Sequence, residues 1–262
     1  ILSSSLFSSY FLLEMLTLST YLIVGFWYAQ PLVITAARDA FLTKRVGDVL
    51  LLMGMVSLSA YAGSLKFDDL DMWVKNADIS AIAATLTGLA LIAGPTGKCA
   101  QFPLHLWLDE AMEGPSPASI LRNSVVVTTG AYVLIKIQPV VVISPITLDV
   151  LIVIGAITAI GGSLVSLAQI DFKRTFSYST SAYIGLVFIL VGTEWPGAAF
   201  MLLFTHAAAR ALIFMSIGGV VFATHNQDLT ELGGIWSRMP ATTLTYLTGA
   251  LGLTGVLPFG WF

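Results

Sequence analysis

Long apolar stretches alternate with short polar connections along the whole chain. A helix that crosses a membrane needs about 20 mostly apolar residues, and about eight stretches of that kind are present. The pattern therefore predicts an all-α fold, a polytopic membrane helical bundle that forms one transmembrane domain over residues 1–262. The predicted spans lie near residues 5–28, 40–62, 79–107, 118–138, 146–168, 176–193, 197–223 and 241–262.

The composition supports lipid as the solvent of this chain. Hydrophobic residues make up 56% of it and charged residues only 10%, whereas soluble domains carry about 25% charged residues. A net charge of −3 disfavours a nucleic-acid partner. The single cysteine, Cys99, excludes an internal disulfide, and three scattered histidines do not form a zinc pattern. We therefore expect no metal and no cofactor in this chain.

Glycine and proline interrupt two of the predicted spans. "GPTGK" (94–98) lies in the third span and "GLTGVLPFG" (252–260) in the eighth. Because these spans are an odd number of crossings apart, they run in opposite directions. Discontinuous helices in inverted halves are typical of transporters. The sequence thus predicts inverted repeats with two discontinuous helices, in a fragment that both begins and ends inside apolar stretches.

Basic residues in the connections predict the orientation, since cytoplasmic loops are enriched in lysine and arginine. The alternation of spans brings the basic residues of three connections to one side, which we assign as cytoplasmic. These residues are Lys44, Arg45, Lys173, Arg174 and Arg238.

Several ionisable residues lie within the predicted spans, where a charge costs several kcal/mol, and four of them are candidates for a functional path. Glu14 is in the middle of the first span, Lys98 is at the interruption of the third, and His206 and Arg210 are four residues apart on one helix face. Packing alone is the alternative for Glu14 and His206, and Lys98 is alternatively a lysine that snorkels from a helix end. Together they predict a proton or cation path, without distinguishing a pump from an antiporter.

Two further polar groups lie near the ends of spans. Arg45 and Asp48, three residues apart, predict an ion pair that either caps a helix end or couples to Glu14. The second group has helical spacing beside Trp107, and a metal is disfavoured there because no second histidine is near. Its members are His105, Asp109 and Glu113.

Five longer motifs resemble those of the antiporter-like, NdhF/NuoL-type membrane subunits of the type I NAD(P)H dehydrogenase and complex I family. The resemblance covers essentially the whole chain. It implies two inverted five-helix halves in a longer subunit, with the first spans, the last spans and a lateral helix outside this fragment. It also implies a central proton path through Glu14, Lys98 and His206, with the pair of Arg45 and Asp48 nearby. The motifs are "KRVGD", "KCAQFPLHLWLDEAMEGPSPAS", "DFKRTFSYSTSAYIGL", "THAAARALIFMSIGGVV" and "DLTELGGIWSRMPATT".

The chain departs from this family where titratable residues are expected. The family usually reads "SALIHAATMV" where residues 119–127 read "SILRNSVVV". Asn123 therefore replaces a histidine, Arg122 adds a fixed charge, and Arg210 replaces a lysine. None of these replacements titrates near neutral pH. A further lysine of the family falls beyond Phe262.

This variant is similar to the distal NdhF subunits of cyanobacterial complexes for CO2 uptake. The resemblance implies a thylakoid NAD(P)H (ferredoxin):plastoquinone oxidoreductase with an NdhD-type neighbour, bound lipids and a cytoplasmic carbonic-anhydrase-like Cup protein. Plastoquinone and iron–sulfur clusters would belong to other subunits, and a zinc ion to the Cup protein. Arg122, Asn123 and His105 become candidates for the side that meets CO2 or bicarbonate. The alternatives are the standard proton-pumping subunit of respiration and cyclic electron flow, a multisubunit cation/proton antiporter, and an inert scaffold.

Overall fold

The structure, a computed structural model, describes residues 3–256, and twelve α-helices account for most of that range. Within it, β-pairing is limited to two isolated bridges. Three-residue 3₁₀ turns lie at Gly25–Trp27 and Ala111–Glu113, and a π-helical segment occupies Leu121–Val126. The helices are α1 (Leu6–Val24), α2 (Pro31–Ala62), α3 (Phe67–Val74), α4 (Ala81–Lys98), α5 (Leu106–Glu110), α6 (Ser116–Ile120), α7 (Val127–Val141), α8 (Pro145–Ala168), α9 (Phe172–Gly192), α10 (Pro196–Thr224), α11 (Ile235–Arg238) and α12 (Pro240–Thr254).

The predicted all-α membrane bundle is confirmed. Within residues 3–256, five stretches are long and apolar enough to cross a membrane, and each matches a predicted span. The other three predicted spans correspond to α2, α4 and α12, for which a membrane crossing remains a prediction. The five stretches are Leu6–Trp27, Ser116–Val141, Pro145–Ala168, Phe172–Gly192 and Pro196–Thr224.

The second helix is longer than the sequence pattern predicts. The predicted span begins at residue 40, but α2 begins at Pro31, where a proline fits the first helical turn because its missing N–H needs no partner there. Arg38 and Asp39 do not end the helix, since they pair with each other at 2.8 Å on its exposed side.

The interruption of the third span lies later than predicted. Although "GPTGK" was expected to break the helix, α4 continues through Pro95 and ends at Lys98. A Cβ atom on Gly94 would lie 2.6 Å from a Leu51 methyl carbon, and one on Gly47 would lie 2.6 Å from the Ala93 carbonyl oxygen. The glycines therefore serve the close packing of α2 against α4, a common use of small residues between membrane helices.

The second predicted interruption is described only at its start. Gly252 is buried inside α12, which ends at Thr254, and Gly255 follows with a φ of 70°. Residues 257–260 of "GLTGVLPFG" lie outside the described residues. The inverted pairing of the two breaks therefore stays a prediction.

Helices α8 and α9 pack through glycines that face each other. A Cβ on Gly155 would lie 2.6 Å from the Gly185 carbonyl oxygen, and one on Gly185 would lie 2.7 Å from the Gly155 oxygen. Gly161, farther along α8, has open space at this position. This contact fixes α9, which presents Lys173, Ser179 and other polar side chains to the interior.

Candidate functional site

Two ion pairs join helices α1, α2 and α4. Arg45 Nη1 on α2 lies 2.5 Å from Glu14 Oε2 on α1, and Lys98 Nζ at the end of α4 lies 2.7 Å from Asp48 Oδ2 on α2. Lys98 also donates a hydrogen bond to the Thr17 hydroxyl. We call Glu14, Arg45, Asp48 and Lys98 the central cluster. The structure thus brings together two of the predicted path residues, Glu14 and Lys98, through a pair of α2 residues.

The predicted ion pair between Arg45 and Asp48 is corrected by this arrangement. Both residues lie on α2, but Arg45 bonds Glu14 and Asp48 bonds Lys98. Asp48 faces the interior, with 1% of its side chain exposed, whereas 39% of the Arg45 side chain is exposed. Each residue therefore binds an opposite charge on a different neighbouring helix, α1 for Arg45 and α4 for Asp48.

The end of α4 is built to hold Lys98 inside the protein. The Trp107 indole donates to the Gly97 carbonyl oxygen at 2.8 Å, and the Gln101 backbone N–H donates to the Thr96 oxygen at 3.0 Å. A Cβ on Gly130 would lie 2.6 Å from the Lys98 Cβ. Only glycine at this point of α7 leaves room for the lysine stem. These contacts satisfy helix-end carbonyls that would otherwise be buried without donors.

Each carboxyl group of the central cluster has one oxygen that makes no hydrogen bond to the described residues. Glu14 Oε1 and Asp48 Oδ1 are buried and have no hydrogen-bond partner within residues 3–256. Asp48 also interacts electrostatically with Glu14. Because carboxyl oxygens bind protons reversibly, the cluster contains two positions that can accept one.

His206 and Arg210 form a second cluster on α10. Both are fully buried. The His206 ring stacks on Tyr183 with 5.2 Å between ring centroids, and Arg210 Nη2 donates to the Ser179 hydroxyl at 2.7 Å. Neither ring nitrogen of His206 has a hydrogen-bond partner among the described residues. Among the described residues, the hydrogen bonds and ion pairs of Lys98 are with Thr17 and Asp48 and not with this cluster, so the role of His206 and Arg210 in one proton path remains a prediction.

The group around α5 is an ion-pair site. Arg174 at the start of α9 binds Asp109 at 3.1 Å and Glu113 at 2.6 Å. Burial raises the pKa of the Asp109 carboxyl, and the nearby Arg174 opposes that shift. His105 lines a separate cavity of about 140 Å³ against α8 and α9. Residues 3–256 contain no group of three His, Cys, Asp or Glu side chains placed to hold a metal.

Arg122 and Asn123 lie on the π-helical segment, which the sequence pattern did not predict. Arg122 is 1% exposed, and its Nη2 donates to the Ser119 hydroxyl at 3.2 Å. Its Nε and Nη1 have no partner among the described residues, and neither has Asn123 Oδ1. His105 makes no recorded contact with either residue, so the structure does not group these three predicted residues at one site. Segments of π-helix are frequent at functional sites.

Two buried lysines were misplaced by the sequence analysis. Lys44 and Lys173 were assigned to connections, but they are 2% and 5% exposed. Lys44 Nζ lies 4.2 Å from the centre of the Trp107 ring and donates to the Thr20 hydroxyl at 3.0 Å. Their charges do not belong to loops, and the membrane orientation therefore remains a prediction. The sequence indicates the burial of Lys44 only through its position beside Arg45 in an otherwise apolar helix.

Known proteins resemble this chain along its whole length. A protein of the organellar chromatophore of Paulinella chromatophora, NAD(P)H-quinone oxidoreductase subunit 5, is 67% identical over 262 residues, which are 100% of this chain and 42% of that protein. The chloroplast subunit 5 proteins of Sorghum bicolor and Zea mays are each 35% identical over 99% of this chain and 37% of their own length. The chain thus spans about two fifths of the length of these relatives.

The family described as NADH:quinone oxidoreductase/Mrp antiporter, transmembrane, matches residues 3–262. The match agrees with the helical bundle, the apolar spans and the buried ion pairs. The names of the relatives describe them as subunits of NAD(P)H-quinone oxidoreductase. The chain is therefore a member of the antiporter-like, NdhF/NuoL-type membrane subunits of the complex I family.

Proposed function

We propose that this chain is the central part of a proton-translocating subunit in a NAD(P)H (ferredoxin):plastoquinone oxidoreductase of thylakoid membranes. The observation that carries the proposal is the buried pair of Lys98 and Asp48, 2.7 Å apart and linked to the pair of Glu14 and Arg45. The names of the relatives support the oxidoreductase complex. Redox chemistry, with iron–sulfur clusters and plastoquinone, would take place in other subunits, and an NdhD-type subunit would be the membrane neighbour.

The proposed proton transfer uses the side chains of the central cluster. Lys98 donates a proton to Asp48, which leaves a neutral amine and a carboxylic acid. The acid passes the proton to the Glu14 carboxylate when Arg45 withdraws from it. The 2.7 Å separation is within the reach of direct proton transfer. Because Arg45 carries a permanent charge, its approach or withdrawal sets the affinity of Glu14 for the proton.

Lys98→Ala in the intact complex tests this function. We expect proton translocation and coupled electron transfer to fall strongly, because alanine can neither hold nor release a proton. Lys75→Ala, at an exposed lysine, is the matched control and should keep wild-type rates. Wild-type translocation by Lys98→Ala would rule out the proposed path.

The finer proposal is that this subunit serves CO2 uptake. Hydration of CO2 by a zinc-containing Cup protein would release bicarbonate and a proton, and removal of that proton drives hydration forward. Asn123, at the position where the resemblance implies a histidine, and the fixed charge of the neighbouring Arg122 support a function other than ordinary proton relay. The permanent charge of Arg122 favours anions in its surroundings.

Arg122→Ala separates this function from the standard pump. We expect poor growth at low CO2, normal growth at high CO2 and normal assembly of the complex. Normal growth at low CO2 with normal assembly would refute the role of Arg122. An equal defect at both CO2 levels would favour the standard pump of respiration and cyclic electron flow. Co-purification of a zinc-containing cytoplasmic protein with the wild-type complex is the independent test of the Cup partner.

A further inference from the structure

Among residues 3–256, buried lysine and arginine side chains outnumber buried carboxyl side chains. Among residues 3–256, the buried ionised side chains include one carboxylate, Asp48, which is paired with Lys98. Contacts with other parts of a longer chain or with neighbouring subunits would bury these ionisable side chains further. An unpaired buried charge is strongly unfavourable, and a buried arginine cannot relieve it by losing its proton, so a compensating negative charge is expected near such an arginine. Four buried cations have no carboxylate partner in an ion pair within the described range: Lys44, Arg122, Lys173 and Arg210.

Three of these cations converge on the segment 105–120 from different helices. Lys44 reaches it from α2, where its ammonium lies over Trp107. Lys173 reaches it from α9 and donates to the Met112 carbonyl oxygen at 3.4 Å. Arg122 enters from the π-helical segment and is near enough to repel both lysines electrostatically. The three side chains therefore contact the same short segment of the chain, at Trp107, Met112 and Ser119.

The nearby carboxylates are already occupied by other partners. Asp48 binds Lys98, and Glu113 binds Arg174 at 2.6 Å. Asp171 accepts the Arg174 backbone N–H at 2.9 Å as the N-cap of α9. A guanidinium group cannot lose its proton in a protein. Arg122 thus remains charged, with its Nε and Nη1 unpartnered in the described part of the chain.

We propose that Arg122, Lys44 and Lys173 form a buried binding site for a small monovalent anion. The free Nε and Nη1 of Arg122 offer two donors in a plane, which suits a halide or the two oxygens of an oxyanion. The lysines supply the additional charge, and the hydroxyl groups of Ser119 and Thr20 lie beside the donors. Chloride and bicarbonate share the required size and charge. The site itself is independent of the proposed function, whereas bicarbonate as its occupant rests on it.

The test uses the purified intact complex in salts of matched ionic strength. Gluconate, which is too large for a buried site, is the reference, and chloride and bicarbonate are titrated against it. We expect a saturable rise in the midpoint of thermal denaturation, because a ligand that binds only the native state stabilises it. In Arg122→Gln the half-saturating anion concentration should increase by about tenfold or more, since a hydrogen bond to a charged group is lost. Lys173→Gln should shift it in the same direction.

The control variant and the comparison of the three anions decide whether the binding site exists. Lys75→Gln removes an exposed lysine and should respond as the wild type does. Equal responses of gluconate and the small anions, or an unchanged half-saturation in both Arg122→Gln and Lys173→Gln, would overturn the site. If Arg122→Gln does not assemble, Lys173→Gln and the wild-type titration decide alone. A response to chloride but not bicarbonate upholds the site and excludes bicarbonate, while the proton path is tested separately by Lys98→Ala.

Discussion

Replacing Asp48 with asparagine removes the carboxylate that binds Lys98 in an ion pair. The two side chains are each 1% exposed, and their charged atoms are 2.7 Å apart. At an effective dielectric constant of about 20, Coulomb's law gives about 6 kcal/mol of attraction at that distance. Part of this is offset by desolvation, and removal of one partner from a buried pair costs about 3–5 kcal/mol in stability. We expect Asp48→Asn to lower the free energy of unfolding by that amount.

The same helix provides the control. Asp39 pairs with Arg38 at 2.8 Å, but the side chains are 36% and 61% exposed. Exposed pairs contribute about 0–1 kcal/mol, so Asp39→Asn should have little effect. The double variant Asp48→Asn/Lys98→Met removes both buried charges together. It should be more stable than Asp48→Asn, because neither partner is left as an unpaired charge at this position.

Denaturant titration of the full-length subunit measures the four unfolding free energies, and reconstituted vesicles measure proton translocation. The double variant should regain stability without regaining translocation. This combination separates the structural effect of the pair from its proposed function. If Asp48→Asn and Asp39→Asn are equally stable, or if the double variant is no more stable than Asp48→Asn, the buried pair is not as described.

Two further variants test packing and pH dependence. Gly155→Ala places a Cβ 2.6 Å from the Gly185 oxygen and should lower the free energy of unfolding by about 1–3 kcal/mol. Gly161→Ala, which places its Cβ in open space, should be neutral or stabilising. A lower thermal midpoint for Gly161→Ala than for Gly155→Ala would contradict the α8–α9 contact. The pKa of Asp109 is raised from its ordinary value of 3.8 by burial, against the influence of Arg174. The native state therefore holds a proton that the unfolded chain has released, and its stability falls as the pH rises from 3.8 through the raised pKa. Asp109→Asn should flatten this part of a plot of thermal midpoint against pH, and an unchanged slope would refute the assignment.

The sequence predicts the spans well because hydrophobic length is a property of single segments. Five predicted spans match helices within a few residues at their ends. Glu14 and Lys98 were identified for the same reason, since a charge in an apolar stretch is visible without a fold. Interruptions were harder to locate. The glycine and proline of "GPTGK" signal a break, but Gly94 is needed for contact with α2, and the helix ends only after Lys98.

Partners across helices could not be predicted from spacing. Arg45 and Asp48 are close in sequence, yet their partners are on α1 and α4. Burial of Lys44 depends on Trp107, which approaches from a segment about sixty residues away in the chain. Such contacts are products of tertiary packing. For the same reason, charge rules for loops misplaced a lysine that lies in the protein interior.

Because of the π-helical segment, residues that align with a relative in this part of the chain need not point in the same direction. A π turn contains about one residue more than an α turn, and each extra residue rotates the following helix by about 100°. Side chains of α6 and α7 therefore face directions that an uninterrupted α-helix would not give them. A relative with a regular helix over residues 116–141 would align without gaps, yet present different side chains to the interior. The direction of each side chain, and not only its residue type, therefore decides which residues of this segment face the interior.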